Sequence, residues 1–233
     1  MTKRTLWTTL LLILLALTTV ACSVLTEPAT PSRELEVAPV EVGAPADEAP
    51  LETAVGMKIY QIDPTASQVR FELDEVLRGS PITVVGSTDQ VSGEIAADLN
   101  DLSSTEAGLI QINARTLVTD SNFRNRALNN KILNTGEFEF ITFSPTAVNG
   151  LPSSAAVGEA LEFTIDGDLT IQDITLPVTF VVSASPVSET QLAGSASTTV
   201  NRADFNLQIP SVRDVADVEE EVELYIDFMA NAS

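Results

Sequence analysis

The chain has 233 residues and carries 33 acidic against 12 basic side chains, a formal net charge of −21 at pH 7. This excess of acid argues against nucleic-acid binding, which depends on a surplus of lysine and arginine. The sequence contains no histidine and one cysteine, which excludes histidine-based catalytic relays, imidazole metal sites and an intramolecular disulfide.

The first 21 residues have the features of an export signal. Lys3 and Arg4 precede an apolar run over residues 6–17, which is shorter than the roughly 20 residues of a membrane-spanning helix. Cys22 follows a small residue, and this junction resembles the lipobox of bacterial lipoproteins, whose lipid-modified cysteine becomes the mature N-terminus. We therefore predict a signal peptide over residues 1–21 and lipidation at Cys22. The alternative is an ordinary secretory signal with an incidental cysteine.

This interpretation predicts where the protein resides. It would be exported and held in the bacterial cell envelope as a membrane-anchored lipoprotein, at the outer face of the cytoplasmic membrane or in the periplasm. The strongly acidic chain would be repelled by anionic headgroups, so the lipid has to supply the membrane attachment.

Residues 22–56 form a predicted linker. Prolines recur at positions 28, 31, 39, 45 and 50, and the segment lacks aromatic residues and a sustained helical or strand period. This composition is typical of an extended, disordered tether. The alternative is an arm that packs against the following domain.

Residues 57–233 are predicted to form one domain built mainly from β-strands. In residues 161–171 every odd position is apolar or glycine, and every even position is acidic or threonine. A period of two indicates an antiparallel sheet with one buried and one wet face. We predict strands near 57–63, 67–74, 82–100, 108–117, 138–149, 160–172, 176–187, 190–201 and 221–230.

One segment breaks this pattern. Residues 120–133 place apolar side chains at helical spacings, with Asp120 or Ser121 as the N-cap. A long series of strands with a single helix is typical of a β-barrel or a β-sandwich.

Four short motifs make the domain resemble the YceI-like domain family. They cover essentially all of residues 57–230 in the family's order: Tyr60-Gln61-Ile62-Asp63-Pro64 with Ser67, Val69 and Phe71; residues 138–143; residues 167–180; and Asn201-Arg202-Ala203-Asp204-Phe205. The resemblance implies an all-β fold, an eight-stranded antiparallel, lipocalin-like barrel with one short helical segment. It also implies an apolar pore that binds a polyisoprenoid or a similar amphiphile.

The alternation predicts which side chains line that pore. The candidate ligand-binding residues are Phe71, Leu73, Ile110, Ile112, Phe123, Leu128, Phe143, Phe163, Ile165, Leu169, Phe180 and Phe228. Phe123 and Leu128 would cover one end of the barrel. The alternative is a barrel filled by its own side chains, which would serve as a surface structural or protein-interaction module.

The polar residues offer no convincing catalytic or metal site. Asp166 and Asp168 share one face of a strand, but that face is opposite the apolar one, so we expect both carboxylates in solvent. Arg202 and Asp204 would form a structural ion pair or strand-end hydrogen bonds, or else meet a ligand headgroup at the pore mouth. We predict a binding protein rather than an enzyme, with no cofactor and no metal, whose partners are a long-chain apolar lipid and the membrane that holds its anchor.

Overall fold

The computed structural model describes residues 30–40, 56–211, 213 and 215–232. The predicted signal peptide, Cys22 and residues 23–29 and 41–55 of the predicted linker lie outside these residues.

The described residues form thirteen β-strands and four short helical segments. The strands are β1 Lys58–Ile62, β2 Gln68–Leu77, β3 Ser80–Thr88, β4 Val91–Ser92, β5 Glu94–Asp98, β6 Asp101–Ala107, β7 Ile110–Asn113, β8 Phe140–Asn149, β9 Leu161–Ile171, β10 Ile174–Ser188, β11 Gln191–Asn201, β12 Val215–Ala216 and β13 Glu221–Ala232. The helical segments are 3₁₀ turns at Pro64–Ala66 and Ala114–Thr116, the helix α1 at Asn122–Ala127 and a π-helical turn at Leu128–Ile132.

The strands close into a barrel. From β8 to β11 each strand pairs with the next, and β11 pairs with β13. The two halves of β13 pair with β1 and β2, which pair in turn with β5 and β3. β3 is followed directly in the chain by β4, which pairs with β7. Because β7 pairs with β8, the circuit returns to its start. All these pairings are antiparallel.

The circuit consists of eight long strand segments, each containing one to three of the short strands. They are residues 58–77, 80–98, 101–113, 140–149, 161–171, 174–188, 191–201 and 221–232. The predicted all-β antiparallel barrel is confirmed, with the difference that several of the eight segments are divided, so that the described residues form thirteen strands. Its closure removes the exposed sheet edges that invite aggregation.

Side-chain alternation produces the two faces of the wall. In β10, Phe180 and Val182 are buried while Thr179 and Val181 point outward, and Val181 is 56% exposed. A shift of the pairing by one residue would exchange the inner and outer faces of a strand. The burial of the apolar set therefore fixes the register of the barrel.

The structure differs from the prediction in two elements. The predicted strand 108–117 ends at Asn113, whose side chain accepts a hydrogen bond from the Arg115 amide and caps a 3₁₀ turn. Strand β6 is not among the predicted strands, because Leu102 is the only large apolar residue among its seven. The predicted helix is present, and Ser121 is its N-cap.

Residues 32–40, which we call the N-terminal strap, contact the barrel wall. Four backbone N–H groups of the strap donate to barrel side chains: Ser32 (2.7 Å) and Arg33 (3.3 Å) to Glu139, Glu36 to Gln111 (2.9 Å) and Val40 to Glu94 (3.2 Å). Ser92 donates a hydrogen bond from its hydroxyl to the Glu36 carbonyl (3.1 Å). Residues 32–40 therefore pack against the domain as an arm and do not form the extended tether that the sequence predicts.

Candidate ligand-binding cavities

The barrel encloses two cavities. Cavity 1, of about 180 Å³, lies toward the end of the barrel that carries α1 and the π-helical turn. Leu128, Ile132 and Leu133 line it from these turns, and Leu207 and Ile209 line it from the loop after β11. The helical segment and this loop therefore border the mouth of cavity 1 at that end.

Cavity 2, of about 80 Å³, lies toward the opposite end. Its walls come from β1, β5 to β10, β11 and β13, and Thr105 on β6 is the one residue among them that carries a polar side-chain atom. The Thr105 hydroxyl is buried without a hydrogen-bond partner among the described residues. A buried water needs two to four polar partners, so one hydroxyl is too few to hold water there.

Eleven of the twelve residues predicted to line the pore lie in these walls. Cavity 1 contains Phe71, Leu73, Ile112, Leu128, Phe143, Leu169 and Phe180. Cavity 2 contains Ile110, Phe143, Phe163, Ile165, Phe180 and Phe228. Their contact with a ligand stays a prediction.

Phe123 is the exception, and its predicted place in the pore lining is wrong. Its ring is 59% exposed and lines neither cavity. It lies in the first turn of α1, where Arg126 places its guanidinium carbon 5.9 Å from the ring centroid. The π-helical turn that follows directs Leu128 inward, so of this pair only Leu128 covers the cavity.

Glycines make room for aromatic rings along the inner wall. A Cβ atom at Gly86 would lie 2.2 Å from the Phe71 ring, and one at Gly167 would lie 2.5 Å from the Phe143 ring. Gly194 has the same relation to Phe228, at 2.8 Å. Each ring lies directly against a bare stretch of backbone, a packing known to support glycine within sheets.

Three arginines contribute to the wall around cavity 1, and each is paired with acid; Arg124 and Arg202 lie at its mouth, whereas the guanidinium of Arg70 lies on the outer face of β2. Arg124 contacts the buried Glu75 (Nη2–Oε1, 3.0 Å) and also Asp120. Only Oε1 of Glu75 has a hydrogen-bond partner among the described residues.

Arg70 is the second of these arginines. It contacts Glu72 (3.2 Å) and Asp227, and its guanidinium carbon lies 4.2 Å from the ring centroid of Tyr225. Such stacking favours a cation over an aromatic face. The guanidinium is therefore held in place on three sides.

Arg202 is the third, and it does not pair with Asp204. It contacts Glu220 (Nη2–Oε1, 2.7 Å) and donates to the carbonyls of Glu219 (3.0 Å) and Leu207 (3.2 Å). The expected strand-end hydrogen bonding is present with these partners, and Arg202 also lines cavity 1. Asp204 is exposed and lines neither cavity.

Asp166 and Asp168 lie on the outer face of β9, as expected. Asp166 accepts hydrogen bonds from Thr179 (2.5 Å) and Asn149 (2.9 Å), and Asp168 is exposed. Within the described ranges, no cluster of three or more potential metal ligands is found.

Sequence reasoning missed Glu75 and Thr105 as cavity residues. Glu75 lies on the inner face two positions after Leu73, so the alternation places it inside. Its acidic side chain argues against that position, and only the structure supplies the partner, Arg124, that makes the burial possible.

Of the helices that the structure describes, none is both long and apolar enough to cross a membrane.

A UPF0312 protein of Staphylococcus aureus strain N315 is 28% identical over 162 residues, which span 65% of this chain and 83% of that protein.

Two solved structures have a similar fold. A polyisoprenoid binding domain from Saccharophagus degradans aligns with a TM-score of 0.60 at 16% identity, covering 75% of this chain and 98% of that domain. Burkholderia cenocepacia BcnA aligns with a TM-score of 0.58 at 17% identity, covering 73% of this chain and 99% of BcnA.

The family model described as the YceI-like domain matches residues 60–230. This range contains all four motifs that resemble the family, together with every strand of the barrel except the first two residues of β1 and the last two of β13. The chain belongs to the YceI-like domain family.

Proposed function

We propose that the barrel binds the apolar tail of an amphiphile, such as a polyisoprenoid or a fatty-acyl lipid. The observation that carries this proposal is cavity 1, an apolar space inside a closed barrel with a polar rim at one end. The tail would lie among the apolar side chains, and the polar head would lie near Arg124 and Arg202. The polyisoprenoid binding domain of Saccharophagus degradans, which has a similar fold, supports the choice of ligand class.

The driving force for such binding is the removal of the tail from water. Each buried methylene contributes about 0.8 kcal/mol, so eight of them contribute about 6 kcal/mol. The ordering of a flexible tail and the loss of its overall motion offset part of this gain. The net affinity would be enough to retain a ligand through purification only if most of the tail is buried.

The proposal extends to the place of action. A lipidated Cys22 would hold the barrel at a membrane of the cell envelope, where amphiphiles with long apolar tails are found. The protein would sequester or carry its ligand and would not transform it. This role accords with the absence of histidine from the sequence.

Native mass spectrometry of the purified protein, followed by extraction with organic solvent, tests the proposal. We expect a bound mass that is lost on extraction and identified as an apolar-tailed lipid. Leu73→Asn, which places an amide in the wall of cavity 1, should lower lipid retention about tenfold or more, because the buried amide lacks a partner.

Val181→Asn is the matched control, because Val181 lies on the outer wall. It should leave lipid retention unchanged. If no lipid co-purifies and none binds when added, the barrel is not a lipid carrier, and the filled interaction module becomes the better description. Equal loss of retention in both variants would also contradict the proposal.

A further inference from the structure

The two cavities are separated by a pair of aromatic rings. Phe143 on β8 and Phe180 on β10 each line both cavities. Their ring centroids are 4.9 Å apart and their planes meet at 63°, an edge-to-face arrangement. Such pairs are favoured by the charge distribution of the rings. The rings therefore interrupt the interior of the barrel between the two cavities.

The wall behind the pair holds these rings in place. Phe143 and Phe180 are each 4% exposed. Gly167 on β9 lies beneath the Phe143 ring, which is as close as a bare backbone allows. Ile226 on β13 also lines both cavities and completes the partition on the opposite side.

The size of cavity 1 limits what fits before this partition. A cavity of about 150 Å³ lined by apolar side chains holds one benzene molecule. On that scale the 180 Å³ of cavity 1 holds about seven carbons, and the 80 Å³ of cavity 2 holds about three more. Cavity 2 has a single polar atom in its wall, so it offers an apolar tail a dry space.

We propose that Phe143 and Phe180 set the tail length that the barrel accepts. A tail enters cavity 1 from the helical end and is buried up to the aromatic pair. Carbons beyond this point gain burial only when the pair moves aside and opens cavity 2. This inference rests on the proposed function, and it adds that this protein prefers short tails or short terminal segments of longer ones.

Titration of the purified protein with n-alkanols of 6 to 14 carbons by isothermal calorimetry tests the inference. Affinity should rise about fourfold with each added methylene while the tail is being buried. In the wild-type protein the rise should stop near eight carbons. In Phe180→Leu, which removes one ring of the partition, the rise should continue for at least two further carbons.

Phe205→Leu is the matched control, because Phe205 is 1% exposed and lines neither cavity. It should keep the wild-type limit. Phe143→Leu serves as a second partition variant with the same expected extension, so a folding failure of one variant does not decide the matter. A wild-type affinity that keeps rising to 14 carbons, or the same extension in Phe205→Leu, would overturn the inference. If no alkanol binds to any variant, the proposed function itself fails.

Discussion

Glu139 is the residue at which the N-terminal strap is fastened to the barrel. Its side chain is 6% exposed and accepts hydrogen bonds from the amides of Ser32 (2.7 Å) and Arg33 (3.3 Å), from Asn113 (3.0 Å) and from the Ser32 hydroxyl. Burial raises the pKa of Glu139, but these donors outweigh it and lower the pKa to about 2. The strap therefore depends on a carboxylate that stays ionised.

Replacement of this carboxylate tests the attachment. Glu139→Gln should lower the free energy of unfolding by about 1–3 kcal/mol, because an amide group cannot accept all four hydrogen bonds. Hydrogen exchange of the Ser32 and Arg33 amides, followed by mass spectrometry, should become faster than in the wild type. Glu137→Gln is the control, since Glu137 is exposed and, among the described residues, its carboxylate accepts a hydrogen bond from Asn134 alone (3.0 Å). Unchanged exchange in Glu139→Gln would show that the strap does not depend on this carboxylate.

The pH dependence of the attachment follows from the direction of the shift. The pKa of Glu139 falls from 4.5 to about 2 on folding, so the unfolded chain binds a proton more readily than the folded one. The stabilisation is fully present above about pH 4.5 and decreases as the pH falls toward 2. Protection of the strap amides, taken as the exchange rate relative to that of the unfolded chain at the same pH, should therefore fall over this range in the wild type, while Glu139→Gln should lack this component of the loss.

At the scale of the element, the glycine of β9 determines how the wall packs. An added Cβ at Gly167 would lie 2.5 Å from the Phe143 ring and 2.6 Å from the Ser144 carbonyl oxygen. Both are closer than real Cβ contacts allow, and the second neighbour is backbone. Strand and ring therefore constrain each other.

Gly167→Ala should destabilise the barrel by about 1–3 kcal/mol through overpacking. Urea unfolding followed by circular dichroism measures this loss. Gly136→Ala is the control, because a Cβ at Gly136 would have no neighbour within 4 Å, and its effect should stay within about 0.5 kcal/mol. Equal stability of the two variants would mean that the Phe143 ring moves away freely.

The elements differ in how well the sequence predicts them. Strands β9, β10 and β13 alternate over most of their length, so the pattern of residues alone predicts that they exist and which face points inward. Strand β6 has one large apolar residue, and the direction of Phe123 depends on a π-helical turn that no sequence period announces. The strap is invisible to pattern analysis, because its backbone amides bind a side chain more than 100 positions away.

The candidate site likewise has features that the sequence predicts and features that it does not. The apolar lining follows from a period of two, since every second residue of a closed sheet faces the interior. The partition by Phe143 and Phe180 does not follow, because it depends on how two rings from the strands on either side of β9 meet over Gly167. The pairing of Arg124 with Glu75 and of Arg202 with Glu220 likewise joins separate segments of the chain.

At the scale of the whole molecule, charge and anchor act in opposite directions. Cleavage before Cys22 would remove Lys3 and Arg4 and leave the already acidic chain more negative. Anionic headgroups repel such a chain. Ser32, the first strap residue bound to the barrel, is ten residues after Cys22, a span of at most about 35 Å. A docked strap would therefore keep the barrel close to the bilayer.

Cys22→Ala should release the protein from the membrane fraction, because no other attachment is predicted. Fractionation of cells, a high-salt wash of the membranes and immunoblotting measure the distribution. Val24→Ala serves as a neighbouring control that should remain with the membranes. Tight retention of Cys22→Ala after the wash would contradict lipidation as the anchor.

The way the barrel closes has a consequence for how the chain folds. All but one of the pairings between its eight segments join segments that follow each other in sequence. The last pairing joins the first and final segments and brings together residues as distant as Tyr60 and Ala232. Non-local pairing is slow, since the cost of closing a large loop precedes the gain in contacts. Until β13 has been synthesised and paired, the growing sheet has two open edges that can pair with another chain. The final strand thus controls both the rate of folding and the time during which aggregation competes with it.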